Sequence, residues 1–293
     1  HHQHLLTMRA FHFVLLAGIA ALSGCDIVEN PVPSGQQNGG TGATVKRRAL
    51  LEEFTGHHCN NCPAAHAVAA QLDDLYDEKL ILVSLHAAAN FNSSFIAPQS
   101  NPDGSYATDF RTTEGQAYAT NYSVTFLPSG MVNRTPFDNS TVLSSANWAS
   151  AVDAVVNEDA KADVWISDLV HDAGANTVSA TVKVAVLADI AGEHKLTVYL
   201  TEDHVIDWQY NSLAADPDVP NYDHRHVFRK TLDGTWGRIA IPASAGVGDT
   251  LEFDYSDVPM DPAWNSANCE LVAYLYEAAS NQVLQAAERK FQP

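Results

Sequence analysis

Two cysteines three positions apart, Cys59 and Cys62, carry the clearest chemistry in the sequence. They follow an apolar segment with strand character, residues 50–54, and a glycine, Gly56, that ends it. Pro63 and an alanine-rich segment come next, which predicts a helix that opens at the cysteine pair. A cysteine at a helix N-terminus lies near the positive end of the helix dipole, which stabilises a thiolate and lowers its pKa. The pattern therefore predicts a reactive dithiol.

The other cysteines favour chemistry rather than structure for this pair. The chain has four cysteines, and Cys269 stands alone before an apolar segment, so we expect it to be a small buried hydrophobe. A disulfide between Cys59 and Cys62 would close a very short loop and therefore contribute little stability. Structural disulfides of exported proteins usually close longer loops.

Composition limits the possible partners and the number of domains. A length of 293 residues predicts about two domains. The chain has 35 acidic and 16 basic residues, for a formal net charge of -19. Nucleic-acid binding requires clustered lysine and arginine, so no nucleic-acid partner is expected. We interpret the net negative charge as a property that keeps the protein soluble. The alternative is that acidic loops bind calcium.

The N-terminus carries a targeting pattern. A basic residue and a short apolar segment lead to Leu-Ser-Gly-Cys, which ends at Cys25 and resembles a bacterial lipobox. The resemblance implies a signal peptide over 1–25, lipidation of Cys25 and anchorage to a membrane; residues 1–7 precede the expected start. The alternative is an ordinary signal peptide with a coincidental cysteine. Residues 26–44 are rich in glycine, proline and glutamine, which predicts a flexible tether.

A second apolar strand, predicted at 79–86, completes a βαβ unit with the cysteine pair at its first turn. A Cys-x-x-Cys pair in that context is typical of a thioredoxin-like fold. The sequence resembles the thioredoxin superfamily at two further places. Glu53 stands six positions before the first cysteine, where that superfamily has a buried acidic residue. Pro128 precedes a predicted strand, at the place where members of that superfamily have a cis-proline. The resemblance therefore implies a cis bond between Leu127 and Pro128.

The sequence also departs from that superfamily. His58 replaces the usual tryptophan before the first cysteine, and a long insertion at 87–110 follows the second strand. Long loops in compact folds are usually functional, so we expect the insertion to lie over the dithiol. Helices predicted at 112–122 and 144–160 complete a thioredoxin-like domain over 45–162.

The remainder of the chain changes character. Many short segments alternate apolar and polar residues, as at 177–186, with turn residues between them. This pattern predicts an antiparallel β-sandwich over 163–293. The expected fold class is therefore an α/β thioredoxin-like domain followed by an all-β antiparallel sandwich domain.

Two blocks, 52–63 and 222–237, together with the lipobox, carry a second resemblance. The sequence resembles the bacterial outer-membrane lipoprotein family called outer membrane protein twenty-eight. The resemblance implies an outer membrane lipoprotein that faces the periplasm or the cell surface. It implies little about a reaction.

These residues suggest a mechanism of thiol–disulfide exchange in the cell envelope. We expect Cys59 to be the more exposed cysteine and to attack as a thiolate, and Cys62 to resolve the mixed disulfide. Glu53, if buried near Cys62, would have a raised pKa and would transfer the resolving proton. Pro128 would shape the substrate groove.

His57 and His58, when protonated, would favour the thiolate electrostatically. The expected partners are the thiols of exported proteins or a redox partner protein, with no cofactor and no metal. Whether the chain is a thiol–disulfide oxidoreductase stays open. The alternative is a non-catalytic surface binding or assembly lipoprotein that uses the β-sandwich and a retired thioredoxin scaffold.

A metal site is a weaker hypothesis. His57, His58, Cys59, Cys62 and His66 lie close in sequence, but structural zinc usually draws its four ligands from two separated pairs.

We predict that His224 and His226 alternate on one strand and so share a face, where a metal pair is conceivable. Structural, hydrogen-bonded histidines are the favoured interpretation of this second pair.

Overall fold

The computed structural model describes residues 44–242 and 245–292. The predicted signal peptide, the lipidation site Cys25 and the tether as far as residue 43 lie outside the described residues. The described chain is a mixed α/β structure in which sheet predominates. None of its described helices is long and apolar enough to cross a membrane.

The strands and helices alternate at first, and strands alone follow. The described helices are α1 Cys62–Tyr76, α2 Thr113–Asn121 and α3 Trp148–Val156. The described strands are β1 Ala49–Phe54, β2 Leu80–Leu85, β3 Ser129–Val132, β4 Ala162–Asp172, β5 Thr177–Val186, β6 His194–Glu202, β7 Val205–Tyr210, β8 Asp218–His224, β9 Val227–Thr231, β10 Arg238–Ile241, β11 Thr250–Pro259, β12 Cys269–Glu277 and β13 Val283–Lys290. The sequence did not predict β7 or β10, and it predicted one strand through 224–226, where β8 ends at His224 and β9 begins at Val227.

Strand β1 lies inside the largest sheet, and all six of its residues are buried. It pairs in parallel with β2 and antiparallel with β3, so the local strand order is β2–β1–β3. A strand that is covered on both faces needs a nearly continuous apolar sequence, as the leucines of β1 and β2 provide.

The same sheet continues into the second half of the chain. Its order is β13–β12–β6–β9–β2–β1–β3, and β10 also pairs with β6. Strand β9 makes the connection, because it pairs in parallel with β2 at Ser84 and Val227 and antiparallel with β6. The boundary predicted at residue 162 therefore divides the chain but does not divide its sheet.

Three apolar cores lie against this sheet. The three-stranded antiparallel sheet β11–β5–β4 packs on β6 and β12, with residues such as Val164, Val182 and Leu271 between the layers. Helices α1 and α3 cover one face of β1 and β2, where Trp148 is fully buried. Tyr118 of α2 packs in the core on the opposite face.

Strands β7 and β8 form a separate two-stranded antiparallel sheet. We call residues 205–224 the β7–β8 hairpin. The hairpin lies against the loop that contains Cys59 and Cys62, so a segment far along the chain takes part in the candidate site.

Candidate functional site

Cys59 and Cys62 form a disulfide with a Cα–Cα distance of 5.4 Å. Cys62 is the first residue of α1, Pro63 lies in the first turn, and Cys59 lies in the preceding turn. The backbone N–H of Cys59 donates to the carbonyl of Gly56 at 3.0 Å, which holds the turn. The local sequence thus positions the pair at the helix N-terminus, as predicted.

Both cysteines are buried, with exposed fractions of 1% for Cys59 and 0% for Cys62. We expected Cys59 to be the more exposed cysteine, but neither sulfur is open to a substrate in this structure. The reason is tertiary, because two segments that are distant in sequence cover the loop. The first of them is the β7–β8 hairpin, and the second is the insertion at 87–110.

Hydrogen bonds hold the β7–β8 hairpin on the cysteine loop. Gln209 Nε2 donates to the carbonyl oxygens of Gly56 and Cys59, each at 3.2 Å. The backbone N–H of Tyr210 donates to the carbonyl of His57 at 2.8 Å. Gln209 itself is completely buried. Its amide therefore ties the hairpin to the cysteine loop and satisfies backbone acceptors that would otherwise need water.

The insertion packs on the same loop from another direction, as expected. The backbone N–H of His58 donates to the carbonyl of Phe95 at 3.1 Å. Gly56 allows this approach, because a Cβ atom built there would lie 2.3 Å from the Phe95 oxygen. The ring of Tyr106 meets the His58 ring edge-on at 4.7 Å. Tyr106 also donates from its hydroxyl to Asp218 at 2.6 Å and so connects the insertion to the hairpin.

His57 does not carry the charge that the sequence hypothesis required. Its side chain is buried, and its Nε2 lies 3.2 Å from the carbonyl of Ala97. Desolvation lowers the pKa of His57 below its ordinary value, so the ring is neutral at pH 7. A protonated His57 that stabilises a thiolate is therefore not available near neutral pH.

Glu53 is buried, as the sequence predicted, with an exposed fraction of 4%. Burial raises the pKa of Glu53 to about 8, so its carboxyl is protonated at neutral pH. Glu53 lines a cavity of about 260 Å³ beside α1. The polar residues that line this cavity are Glu53, Thr55, His66, Asp73, Asp74, Ser84, His86, Asp223, His224, Arg225 and His226.

His66 joins this cavity to the cysteine pair. It lies four residues after Cys62 on α1 and therefore on the same helix face. Its Nε2 is 2.8 Å from Thr55 Oγ1 and 3.5 Å from Glu53 Oε1, and its Nδ1 is 2.6 Å from the Tyr222 hydroxyl. Burial lowers the pKa of His66 to about 3, so this imidazole is neutral and relays hydrogen bonds without charge.

Pro128 lies at the same end of the sheet as the cysteine loop. The Leu127–Pro128 bond is cis, as the sequence predicted. In the antiparallel register Phe54 faces Ser129, so Pro128 comes next to the position of Thr55 at the end of β1. Pro128 is partly exposed.

The structure bears on both metal hypotheses. The pair Cys59 and Cys62 is oxidised, so its sulfurs are not free to act as ligands. His224 ends β8, and His226 lies in the connection to β9 with a φ of 53°. The prediction that these two alternate along one strand is therefore wrong, because a left-handed residue interrupts the extended chain.

Sequence reasoning missed most of the cover of the disulfide. Gln209 carried no sequence signal, and Tyr222 belonged only to a segment that is dense in polar and aromatic residues. Their roles depend on contacts with residues more than 100 positions away. Such contacts leave no periodic pattern in a single sequence.

Comparisons with known proteins identify relatives. The family profile described as outer membrane protein Omp28 matches residues 115–293. No curated protein matches the chain.

Among solved structures, HBP35 of Porphyromonas gingivalis has a TM-score of 0.60 at 17% identity and covers 85% of this chain and 77% of its own. Protein AGR_C_4864 from Agrobacterium tumefaciens has a TM-score of 0.50 at 11% identity, over 85% of this chain and 97% of its own. A domain of the outer membrane lipoprotein Omp28 from Porphyromonas gingivalis covers 46% of this chain and 90% of its own, at 17% identity and a TM-score of only 0.30. At these identities the likenesses to HBP35 and AGR_C_4864 concern the fold.

Proposed function

Since this chain belongs to the Omp28 family of outer membrane proteins, we propose that it performs thiol–disulfide exchange in the cell envelope through Cys59 and Cys62. Family membership confirms the localisation expected from the sequence, which is an outer membrane lipoprotein. The substrates would be thiols or disulfides of exported proteins, or those of a redox partner protein.

A thioredoxin-like arrangement supports the proposal. The cysteine pair connects β1 to α1, β2 lies parallel to β1, and β3 lies antiparallel on its other side. A cis-proline precedes β3. This order of elements brings a helix N-terminus and a proline loop to one end of the sheet, where a dithiol needs them.

The observation that carries the proposal is the buried, protonated carboxyl of Glu53. Its pKa of about 8 lies near the pH at which thiols exchange protons, so it can both donate and accept one. Glu53 shares its cavity with His66, which stands one helical turn beyond Cys62. A buried carboxyl costs stability, because burial removes its hydration, which argues for a chemical role.

The proposed reaction starts from the observed disulfide. A substrate thiolate attacks the sulfur of Cys59, a mixed disulfide forms, and the S–S bond to Cys62 breaks. Cys62 leaves as a thiolate and takes a proton that Glu53 supplies. A second substrate thiolate then attacks the substrate sulfur and releases Cys59 as a thiolate. The substrate loses two electrons, the pair gains them, and the reverse sequence reduces a substrate.

Access requires movement, because both cysteines are buried. Gln209 must release the carbonyls of Gly56 and Cys59 before a substrate sulfur reaches Cys59. The proposed exchange is therefore gated by the β7–β8 hairpin, and its rate would include an opening step.

The decisive measurement is the reduction potential of the Cys59–Cys62 pair, obtained by thiol trapping of the purified protein across a glutathione series. A potential between about -120 and -270 mV, the range of known oxidants, isomerases and reductants, supports exchange. Activity in a disulfide-exchange assay should disappear in Cys59→Ser and persist in the control Cys269→Ser, since Cys269 is a buried free thiol. Unchanged activity of Cys59→Ser would refute the proposal.

The burial of the two cysteines favours a second function. A pair that is 0 to 1% exposed under a hydrogen-bonded cover resembles a structural staple rather than a working dithiol. In that case the protein is a surface binding or assembly lipoprotein. The same titration distinguishes the two, because structural disulfides stay oxidised below about -300 mV.

A further inference from the structure

A cluster of three potential metal ligands lies apart from the disulfide. Asp203 follows β6, His226 precedes β9, and Glu270 is the second residue of β12. His226 Nδ1 lies 3.5 Å from Asp203 Oδ1 and 3.7 Å from Glu270 Oε1. One ligand atom from each residue lies within 4.8 Å of the others. Among residues 44–242 and 245–292, this is the group of three potential metal ligands whose ligand atoms lie this close together.

The ligand atoms of this cluster are buried and incompletely satisfied. Asp203 is 7% exposed and Glu270 is 2% exposed. Glu270 Oε2 and His226 Nδ1 have no hydrogen-bond partner among the described residues. A buried carboxylate normally requires an opposite charge or several donors, because it loses its hydration. The unsatisfied Oε2 of Glu270 is therefore a buried acceptor that a bound cation would satisfy.

The cations nearby do not meet this need. Arg225 contacts Asp203, with Nε 3.2 Å from Oδ1, but its side chain is 44% exposed. Thr201 Oγ1 donates to Glu270 Oε1 over a long 3.4 Å. The ion pair of Arg225 therefore serves Asp203, and within the described part of the chain that guanidinium makes no hydrogen bond or ion pair with Glu270.

The types of ligand select a class of metal. Ca²⁺ and Mg²⁺ take oxygen ligands, whereas an imidazole nitrogen with carboxylate oxygens suits Zn²⁺ and related transition metals. An ion at about 2.0–2.2 Å from each ligand atom needs ligand atoms separated by about 3.3–3.6 Å in a tetrahedron. The distance from His226 Nδ1 to Asp203 Oδ1, 3.5 Å, lies within this range, and the distance to Glu270 Oε1, 3.7 Å, lies just above it.

We propose that Asp203, His226 and Glu270 bind one divalent transition-metal ion, Zn²⁺ by preference. The cluster joins three strands of the large sheet, β6, β9 and β12, so the ion would fix their ends. The backbone N–H of His226 donates to Asp203 Oδ1 at 2.7 Å and orients that carboxylate. His226 also lines the 260 Å³ cavity, which provides a route for the ion and space for a fourth, water ligand.

The test is titration of the chelator-treated purified protein with Zn²⁺ alone, followed by calorimetry and by the thermal midpoint Tm. Because His1, His2 and His4 are further potential metal ligands, the readout is the difference between variants. Wild type should bind one equivalent of Zn²⁺ at the proposed site. In Glu270→Gln the affinity of that site should fall at least tenfold, so that this equivalent is lost from the tight-binding phase. Zn²⁺ should raise the Tm of wild type and leave that of Glu270→Gln unchanged.

A matched control is His204→Gln. His204 Nδ1 lies 2.9 Å from Asp223, but this pair is exposed and lacks a third ligand, so the variant should bind Zn²⁺ like wild type. His226→Gln is the second test variant in case Glu270→Gln does not fold. Equal stoichiometry and affinity in wild type and the folded test variants would overturn the proposal, and the cluster would be a protonated His226 between two carboxylates.

Discussion

At the scale of single residues, two adjacent glutamates of β1 have opposite environments because successive strand residues point to opposite faces. Glu53 faces the polar cavity beside α1, whereas Glu52 faces the other core. There Arg134 Nε and Nη2 each lie 2.7 Å from a Glu52 oxygen, and both side chains have no exposed surface. The hydroxyls of Tyr199 and Tyr274 complete the network. The ion pair is thus buried and well supplied with hydrogen bonds.

Arg134→Met should lower the free energy of unfolding by about 3–5 kcal/mol, because it leaves the Glu52 carboxylate buried without a cation. The measurement is urea unfolding followed by circular dichroism. Lys183→Met is the control, since Lys183 pairs with Glu252 at the surface and its loss should lower the free energy of unfolding far less. Equal losses in both variants would contradict the assigned role of the network.

The pKa of Glu53 gives a second residue-scale prediction. Its folded value of about 8 exceeds its unfolded value, so the native state holds a proton that the unfolded state has lost. Stability therefore falls as pH rises between about 4.5 and 8, by at most about 1.4 kcal/mol per pH unit from this group. Glu53→Gln should remove this decline. Urea unfolding of both proteins at pH 5.5 and pH 8.5 tests it, and parallel pH curves would count against a buried neutral carboxyl.

At the scale of elements, the β7–β8 hairpin is one of the two segments that cover the disulfide. Its contacts with the cysteine loop include hydrogen bonds from Gln209, Tyr210 and Ser212. A typical hydrogen bond contributes about 1 kcal/mol net, so the cover can open at a modest cost. The hairpin therefore shields the disulfide in the closed state and can open to admit a thiol.

Gln209→Ala should accelerate reduction of the Cys59–Cys62 disulfide by about tenfold or more, because it removes two hydrogen bonds of the cover. The rate is measured with excess dithiothreitol and maleimide trapping. Ile206→Ala on the same hairpin is the control, since Ile206 is 59% exposed and its loss should leave the rate unchanged. A rate for Gln209→Ala equal to that of the control would show that another segment limits access.

At the scale of the whole molecule, one sheet unites the two halves of the chain. Strand β9 lies between β2 and β6, and Arg134 contacts Tyr199 and Tyr274 across the same junction. The buried network therefore draws on both of the domains that the sequence predicted. Cutting the chain at residue 162 would expose the edge of β2 and the charges of Glu52 and Arg134.

Unfolding in urea should accordingly be one cooperative transition, with coincident curves from circular dichroism and from tryptophan fluorescence. Trp148 reports on the first half, and Trp165, Trp208, Trp236 and Trp264 report on the second. Residues 45–162 expressed alone should not fold. Two separated transitions, or a stably folded 45–162 fragment, would instead support independent domains.

The sequence by itself determined the features that depend on neighbouring residues. Apolar runs and alternation predicted β1, β2 and most later strands, and the helix after Pro63 followed from local preferences. The cysteine pair, the burial of Glu53 and the cis bond at Pro128 followed from the motif and its resemblance. These features have short-range causes, because backbone geometry and strand periodicity act over a few residues.

Only the tertiary structure decided what surrounds those features. It brought Gln209 onto Cys59, paired Glu52 with Arg134, and gathered Asp203, His226 and Glu270. Each of these contacts depends on which strands become neighbours, and β9 joins β2 by a pairing that no local pattern specifies. Strand pairing over long separations is selected by the total burial of the sheet, so a single sequence reveals the strands and leaves their partners undetermined.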